Sequence, residues 1–185
     1  MGRKRRKPRG KKINPTLFIF CEGQTEEAYV NLLKTHYRLP SIIIHPKVSG
    51  SDITKSFIEN YKKEKPTHEK DIDYLMYDSD VPSVLTRLQK IEDCTLLLSN
   101  PCIELWFLLH YKNQTASVDC NQCCKELKNR NRTPYKKGII CEKLREKLIG
   151  GKYKATERAK KLSDALNPSS TIYRLIEKLE ELSKE

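Results

Sequence analysis

From Thr16 to Tyr111 short apolar runs alternate with longer amphipathic ones, and this alternation restricts the fold more than any other feature of the chain. The runs TLFIFCE, SIIIHPKV, DIDYLMYDSD and TLLLSN have the length and the β-branched and aromatic content of strands. Between them, TEEAYVNLLKTHY, SDITKSFIENYKKEK and PSVLTRLQKIED read as helices. Ala28, Tyr29, Leu32 and Leu33 share one face of the first, and Ile53, Phe57 and Tyr61 one face of the second. Glu26 and Glu27 suit the positive end of the first helix. After the fourth strand, Pro101 stands where a proline can open a helix, with Asn100 as its cap and CIELWFLLHY continuing it. Strict β-α alternation predicts an α/β fold: a parallel sheet of about four strands with helices on both faces.

Beyond residue 112 the pattern changes to helices alone, predicted near 119–129, 139–149, 155–166 and 170–183. The last carries Ile172, Leu175, Ile176, Leu179 and Leu182 on one stripe, which would pack back onto the sheet domain. The expected organisation is a disordered basic tail over 1–14, an α/β core over 15–112 and a helical extension over 113–185. The 185 residues suffice for one domain with a substantial core.

Charge is distributed by segment. Of the formal +12, residues 3–12 contribute +8, residues 13–124 contribute −4, residues 125–161 contribute +10 and the last 24 contribute −2. An acid-bearing half flanked by two basic segments favours a polyanionic partner and salt-dependent binding. Nucleic acid fits better than a membrane, because no strongly apolar face accompanies the basic tail. No stretch approaches the roughly 20 apolar residues of a membrane span, and LFIFC is too short for a secretory core, so the expected location is the cytoplasm. Seven cysteines, an odd number, then read as reduced thiols. CNQCC (Cys120, Cys123, Cys124) supplies one C-x-x-C, but only Cys141 follows it and no later histidine, so a zinc site is not specified.

The acids of the central half fall at telling places. In an open parallel sheet, ligands bind beyond the carboxyl ends of the strands. Glu22 lies at that end of the first strand and Asp78 and Asp80 at that end of the third; Ser99, Asn100 and Glu104 follow the fourth. If the chain stays extended, the i, i+2 spacing turns Asp78 and Asp80 to one side. Asp71 and Asp73, at the start of the same strand, read as solvated. Carboxylates gathered at one rim repel each other unless a cation joins them, and an oxygen-ligated divalent ion such as Mg²⁺ (or Mn²⁺) is the natural one. CEGQTEE, YDSD and SNPCIE hold no basic residue to neutralise them otherwise.

FCEGQTEEAY, YDSD, SNPCIELWFLLHY, GKYKATERAKKL and PSSTIYRLIEKL together resemble the RloB-like (AbiLii-like) family, over nearly the whole chain from Thr16 onward. Where that family commonly has Phe, this chain has Ile103, an apolar exchange. The resemblance implies a Toprim-like fold, with Glu22, Asp78 and Asp80 as the metal-binding and catalytic set. It further implies a component of bacterial anti-phage, abortive-infection systems, often encoded beside an ATPase. The chain has no phosphate-loop motif of its own, so ATP hydrolysis would come from that partner.

The chemistry implied is metal-dependent phosphodiester cleavage of DNA or RNA, transfer RNA included. By likeness to overcoming-lysogenisation-defect nucleases, Glu26 and Glu104 would serve a second ion. Glu26 equally suits a plain first-turn acid, whereas Glu104 opens a strongly apolar helix and fits a site role. Lys136, Lys137, Lys152, Lys154 and Arg158 are candidate phosphate contacts, with solvated helix faces as the alternative. His110, Trp106 and Phe107 read as core. The rival class is a non-catalytic nucleic-acid- or partner-binding module on a degenerate Toprim fold.

Overall fold

A computed structural model describes residues 13–163 and 166–184. Most of the basic tail, residues 1–12, lies outside the described residues. The elements follow the predicted order: β1 (Thr16–Cys21), α1 (Gln24–Tyr37), β2 (Ile43–Val48), α2 (Lys55–Lys63), β3 (Ile72–Asp78), α3 (Pro82–Leu88), β4 (Cys94–Asn100) and α4 (Ile103–Leu109). Then come α5 (Cys120–Asn131), α6 (Glu142–Gly150), α7 (Lys152–Lys160), β5 (Ser169–Ser170) and α8 (Tyr173–Leu182).

The sheet order is β2-β1-β3-β4-β5. The first four strands are mutually parallel and β5 runs antiparallel to β4. From β1 the chain first adds β2 on one side and then β3 on the other, and a crevice opens at such a switch point between β1 and β3. Alternate side chains divide the core into two layers. Leu17, Ile19, Cys21, Tyr74 and Met76 face one side, where apolar residues of α1, α4, α7 and α8 cover them. Phe18, Phe20, Leu75 and Tyr77 face the other, under Ile58 of α2 and Leu88 of α3. Among the described residues no helix is long and apolar enough to cross a membrane.

Several local expectations are corrected. The strand β5 was expected to be the start of the last helix; it has no apolar run, and tertiary hydrogen bonds make it. Thr171 donates its N–H to the Leu98 carbonyl at 2.8 Å and accepts the Leu98 N–H on Oγ1 at 2.8 Å. Pro101 does not open α4: the Asn100–Pro101 peptide is cis, Asn100 ends β4, and the helix starts at Ile103 behind Cys102. Asp71 and Asp73 are not merely solvated. Asp71 accepts the N–H groups of Thr16 (2.7 Å) and His68 (2.9 Å), and Asp73 forms a half-buried ion pair with Lys62 at 2.8 Å.

Candidate functional site

At the carboxyl ends of β1 and β3 a cleft of about 400 Å³ is lined by Glu22, Gly23, Gln24, Thr25, Glu26, Asp78, Ile103, Glu104, Lys137 and Gly138. Four of the five predicted acids therefore meet. Three of the four are positioned by backbone hydrogen bonds. Glu22 continues the line of β1, its own N–H bonding the Met76 carbonyl, and its Oε2 accepts the Asp78 N–H at 2.9 Å. Glu26 sits one turn into α1 and reaches back, so that its Oε2 accepts the Gly23 N–H at 3.0 Å. Glu26 is thus a buried capping residue facing the cleft and not the plain first-turn acid that was its alternative reading. Asp78 Oδ1 accepts the Ile103 N–H at 3.0 Å and so ties the tip of β3 to the start of α4.

Glu104 is fully buried, and Tyr135 donates its hydroxyl to Oε1 at 2.8 Å. Its Oε2 has no hydrogen-bond partner, with the Lys137 ammonium standing 3.9 Å away. Tyr135 and Lys137 belong to the strap between α5 and α6, which Gly138 fastens to α1 by donating its N–H to Thr25 Oγ1 at 2.9 Å. Sequence reasoning missed Tyr135, Thr25 and Gly138. Their one signal was a lone tyrosine and a glycine among the turn formers of TPYKKG.

The electrostatics follow from this crowding. Burial, then the charges of Glu26, Glu22 and Glu104, push the Asp78 carboxyl up to about 9, against the hydrogen bond from Ile103. Burial likewise raises Glu26, with Glu104 and Glu22 adding to it and its own capping bonds opposing. Burial acts to lower the Lys137 ammonium, but the groups around it, Glu104 foremost with Asp78 adding, together outweigh it and the net shift is upward. Four acids in one cleft thus lack the cations to balance them.

Asp80 does not join the set. The strand ends at Asp78, the chain bends, and Asp80 is exposed outside the cleft lining. The basic candidates also divide. Lys137 lines the cleft, and Lys136 and Lys154 are exposed. Lys152 instead pairs with Glu180 at 2.8 Å and lies over the Tyr37 ring at 5.0 Å. Arg158 donates to the Leu109 carbonyl at 2.6 Å, closing the end of α4. Trp106 and Phe107 are core, and His110 is buried behind them with Nδ1 against the Trp106 carbonyl at 2.8 Å.

All seven cysteines are free thiols. Cys102 and Cys123 pack with Leu105, Leu108 and Val118, and hydrogen bonding with Cys123, then burial, drives the Cys102 thiol upward and keeps it protonated. Among the described residues no three Cys, His, Asp or Glu side chains stand close enough to hold a metal ion as they are. The acid set nonetheless fits a hard divalent cation. It offers oxygen donors only, one of them a buried carboxylate oxygen without a hydrogen bond, from groups whose mutual repulsion a cation would relieve.

The family model described as RloB-like protein matches residues 17–179. The chain belongs to the RloB-like family. No curated protein and no solved structure matches it. The RloB-like match takes in every strand but the first residue of β1, and all four acids of the cleft.

Proposed function

We propose that this RloB-like protein is a metal-dependent nuclease that cleaves phosphodiester bonds, the effector of a phage-defence system working with an ATPase partner. The observation that carries the reading is the convergence of Glu22, Glu26, Asp78 and Glu104 on one cleft, with Glu104 Oε2 buried and without a hydrogen bond. These four side chains would hold Mg²⁺ or Mn²⁺, with Asp80 outside the cleft. Such an ion, when bound, supplies Lewis-acid polarisation of a phosphoryl oxygen.

The remaining work falls to the chain's own groups. Asp78 holds the start of α4, and hence Glu104, in place through the Ile103 N–H. Tyr135 fixes Glu104 from the other side. Lys137, exposed at its tip yet beside the cleft, places a cation where a phosphate would enter, and its charge is secured by the upward shift of its ammonium. Lys136 and Lys154 offer further phosphate contacts from the surface.

Incubation of the protein with labelled DNA and RNA pools, in Mg²⁺, Mn²⁺ or EDTA and with the candidate ATPase supplied, tests this. Metal-dependent cutting is expected, with a loss of at least a hundredfold in Asp78→Asn and Glu104→Gln at unchanged fold. The wide spacing of the acids favours one alternative, a nucleic-acid- or partner-binding module without catalysis. Retention of the biological effect in both variants, with no cutting in any pool, would establish it.

A further inference from the structure

A second surface lies on the opposite layer of the sheet, outside the acid cleft. Among the described residues the edge strand β2 pairs only with β1, and its Lys47 stands level with Phe20 and its His45 level with Phe18. Residues in register on parallel strands share a face, so both point toward α2. There Phe57 and Tyr61 stack with ring centroids 6.4 Å apart and planes within 5° of parallel. Phe20 supports both from below, edge-on, at 6.3 and 5.9 Å. His45 Nε2 fixes the Tyr61 hydroxyl at 2.6 Å. Phe57 is 37% exposed although one side of its ring is held by Phe20 and Tyr61.

Cations ring this aromatic pair. The Lys47 ammonium lies 5.4 Å and the Lys65 ammonium 5.1 Å from the Tyr61 centroid. Their fields, with that of Lys34, reach His45, which burial already lowers. Among the described residues no carboxylate pairs with Lys34, Lys47 or Lys65; of the nearby acids Asp73 is taken by Lys62 and Glu92 by Lys55, while Glu59 within α2 and Glu64 at its end make no ion pair. The patch also runs to the functional rim. Ser49, two residues after Lys47, donates its N–H to the Cys21 carbonyl, directly before Glu22. Two strand residues span about 7 Å.

An exposed Phe57 stacked on the partly buried Tyr61, with the Lys47 and Lys65 ammoniums over the Tyr61 ring, matches what binds a single-stranded nucleic acid: bases stack on rings and phosphates meet lysines. We propose that the β2–α2 face is a stacking platform for single-stranded nucleic acid, with Phe57 receiving a base and Lys47 and Lys65 its flanking phosphates. The proposal deepens the nuclease reading, since it names an unpaired strand as the substrate, and it rests on that reading for the choice of polyanion. A duplex cannot offer a base face to Phe57, so discrimination between single and double strands belongs to this surface.

The test uses the full chain in EDTA with short oligo-dT and oligo-U carrying a central 2-aminopurine, followed by anisotropy and by fluorescence quenching. Phe57→Ala should weaken binding roughly tenfold and abolish the quenching, leaving the salt slope unchanged. Phe57→Leu, which keeps the apolar contact with Phe20, should do the same with the parent's melting temperature. The pair Lys47→Gln and Lys65→Gln should lower the salt slope by about 1–1.5. Three results overturn the proposal. They are parental binding and quenching in both Phe57 variants, equal affinity for a duplex of the same charge, and a preference for an acidic polypeptide that depends on Phe57. Cutting that persists without any dependence on Phe57 removes this inference alone. Phe57-dependent binding in a protein that never cuts removes the nuclease reading alone.

Discussion

At the scale of single residues the cleft is a place of uncompensated charge, and its stability should report that. Asp78 is buried among Glu22, Glu26 and Glu104, while its Oδ1 serves the Ile103 N–H. Asparagine keeps that acceptor and removes an ionisable group that burial and its acidic neighbours force to stay protonated. Asp78→Asn should therefore raise the melting temperature in EDTA by a few degrees, corresponding to about 1–2 kcal/mol. Mg²⁺ or Mn²⁺ should raise the parent's melting temperature and not the variant's, as read by thermal shift. His110 gives a second readout. Burial lowers it to about 4, with Lys147 and Arg158 adding to the effect and the Trp106 carbonyl opposing it. Its unfolded value is near 6.5, so between the two the unfolded chain binds the extra proton and stability falls as pH falls. Melting at pH 7 and pH 5 should show a loss of about 2 kcal/mol that His110→Leu removes. Neither His110's missing partner at Nε2 nor the wedge of Gly151 against its ring could be read in the sequence, because both are set by α6 and α7 docking.

At the scale of elements, the strap from α5 to α6 is the part of the site that depends most on one backbone conformation. Gly138 has φ +77°, and a Cβ there would meet Gln24 Cβ at 3.2 Å. Gly138→Ala should cost about 1–2 kcal/mol in denaturant melts and displace Lys137 from the cleft, reducing any metal-dependent cutting. The strands and α1 were legible because their apolar periods are long and unbroken. Boundaries were less so. Helix α3 stops at Leu88 although PSVLTRLQKIED keeps a helical composition to Asp93, and α2 waits for Thr54, whose hydroxyl accepts the Phe57 N–H. Asp80 was misplaced for a related reason: pairing with β4 ends at Asp78, so the extended geometry that would have turned both aspartates inward stops one residue after the first. The acids themselves were visible as a set because three strand ends delivered them in a fixed order. Tyr135, which holds Glu104, was not, and Lys137 was visible only as a candidate phosphate contact and not as a neighbour of Glu104, since both arrive from a segment that shares no local pattern with the strands.

For the whole molecule, the C-terminal helices are joined to the sheet layer by a polar cluster as well as by apolar packing. Burial alone would raise the Glu180 carboxyl, yet Lys152, Tyr37 and Tyr153 hold it down at about 2. The cluster links α1, α7 and α8, and it explains why Lys152 is withdrawn from the basic surface. Because the folded value lies below the ordinary glutamate range, its stabilisation is complete at neutral pH and disappears as pH falls from about 4 toward 2. Glu180→Gln should lower stability at pH 7 by about 1–2 kcal/mol, and the gap from the parent should close in acid. The strand β5 carries a consequence of another kind. Ser170 and Thr171 are the neighbours that β4 needs on its outer side, yet about 70 residues of chain separate them. During synthesis β4 gains its second flank only after about 70 further residues have been made, so its outer edge stays open while α5, α6 and α7 are added.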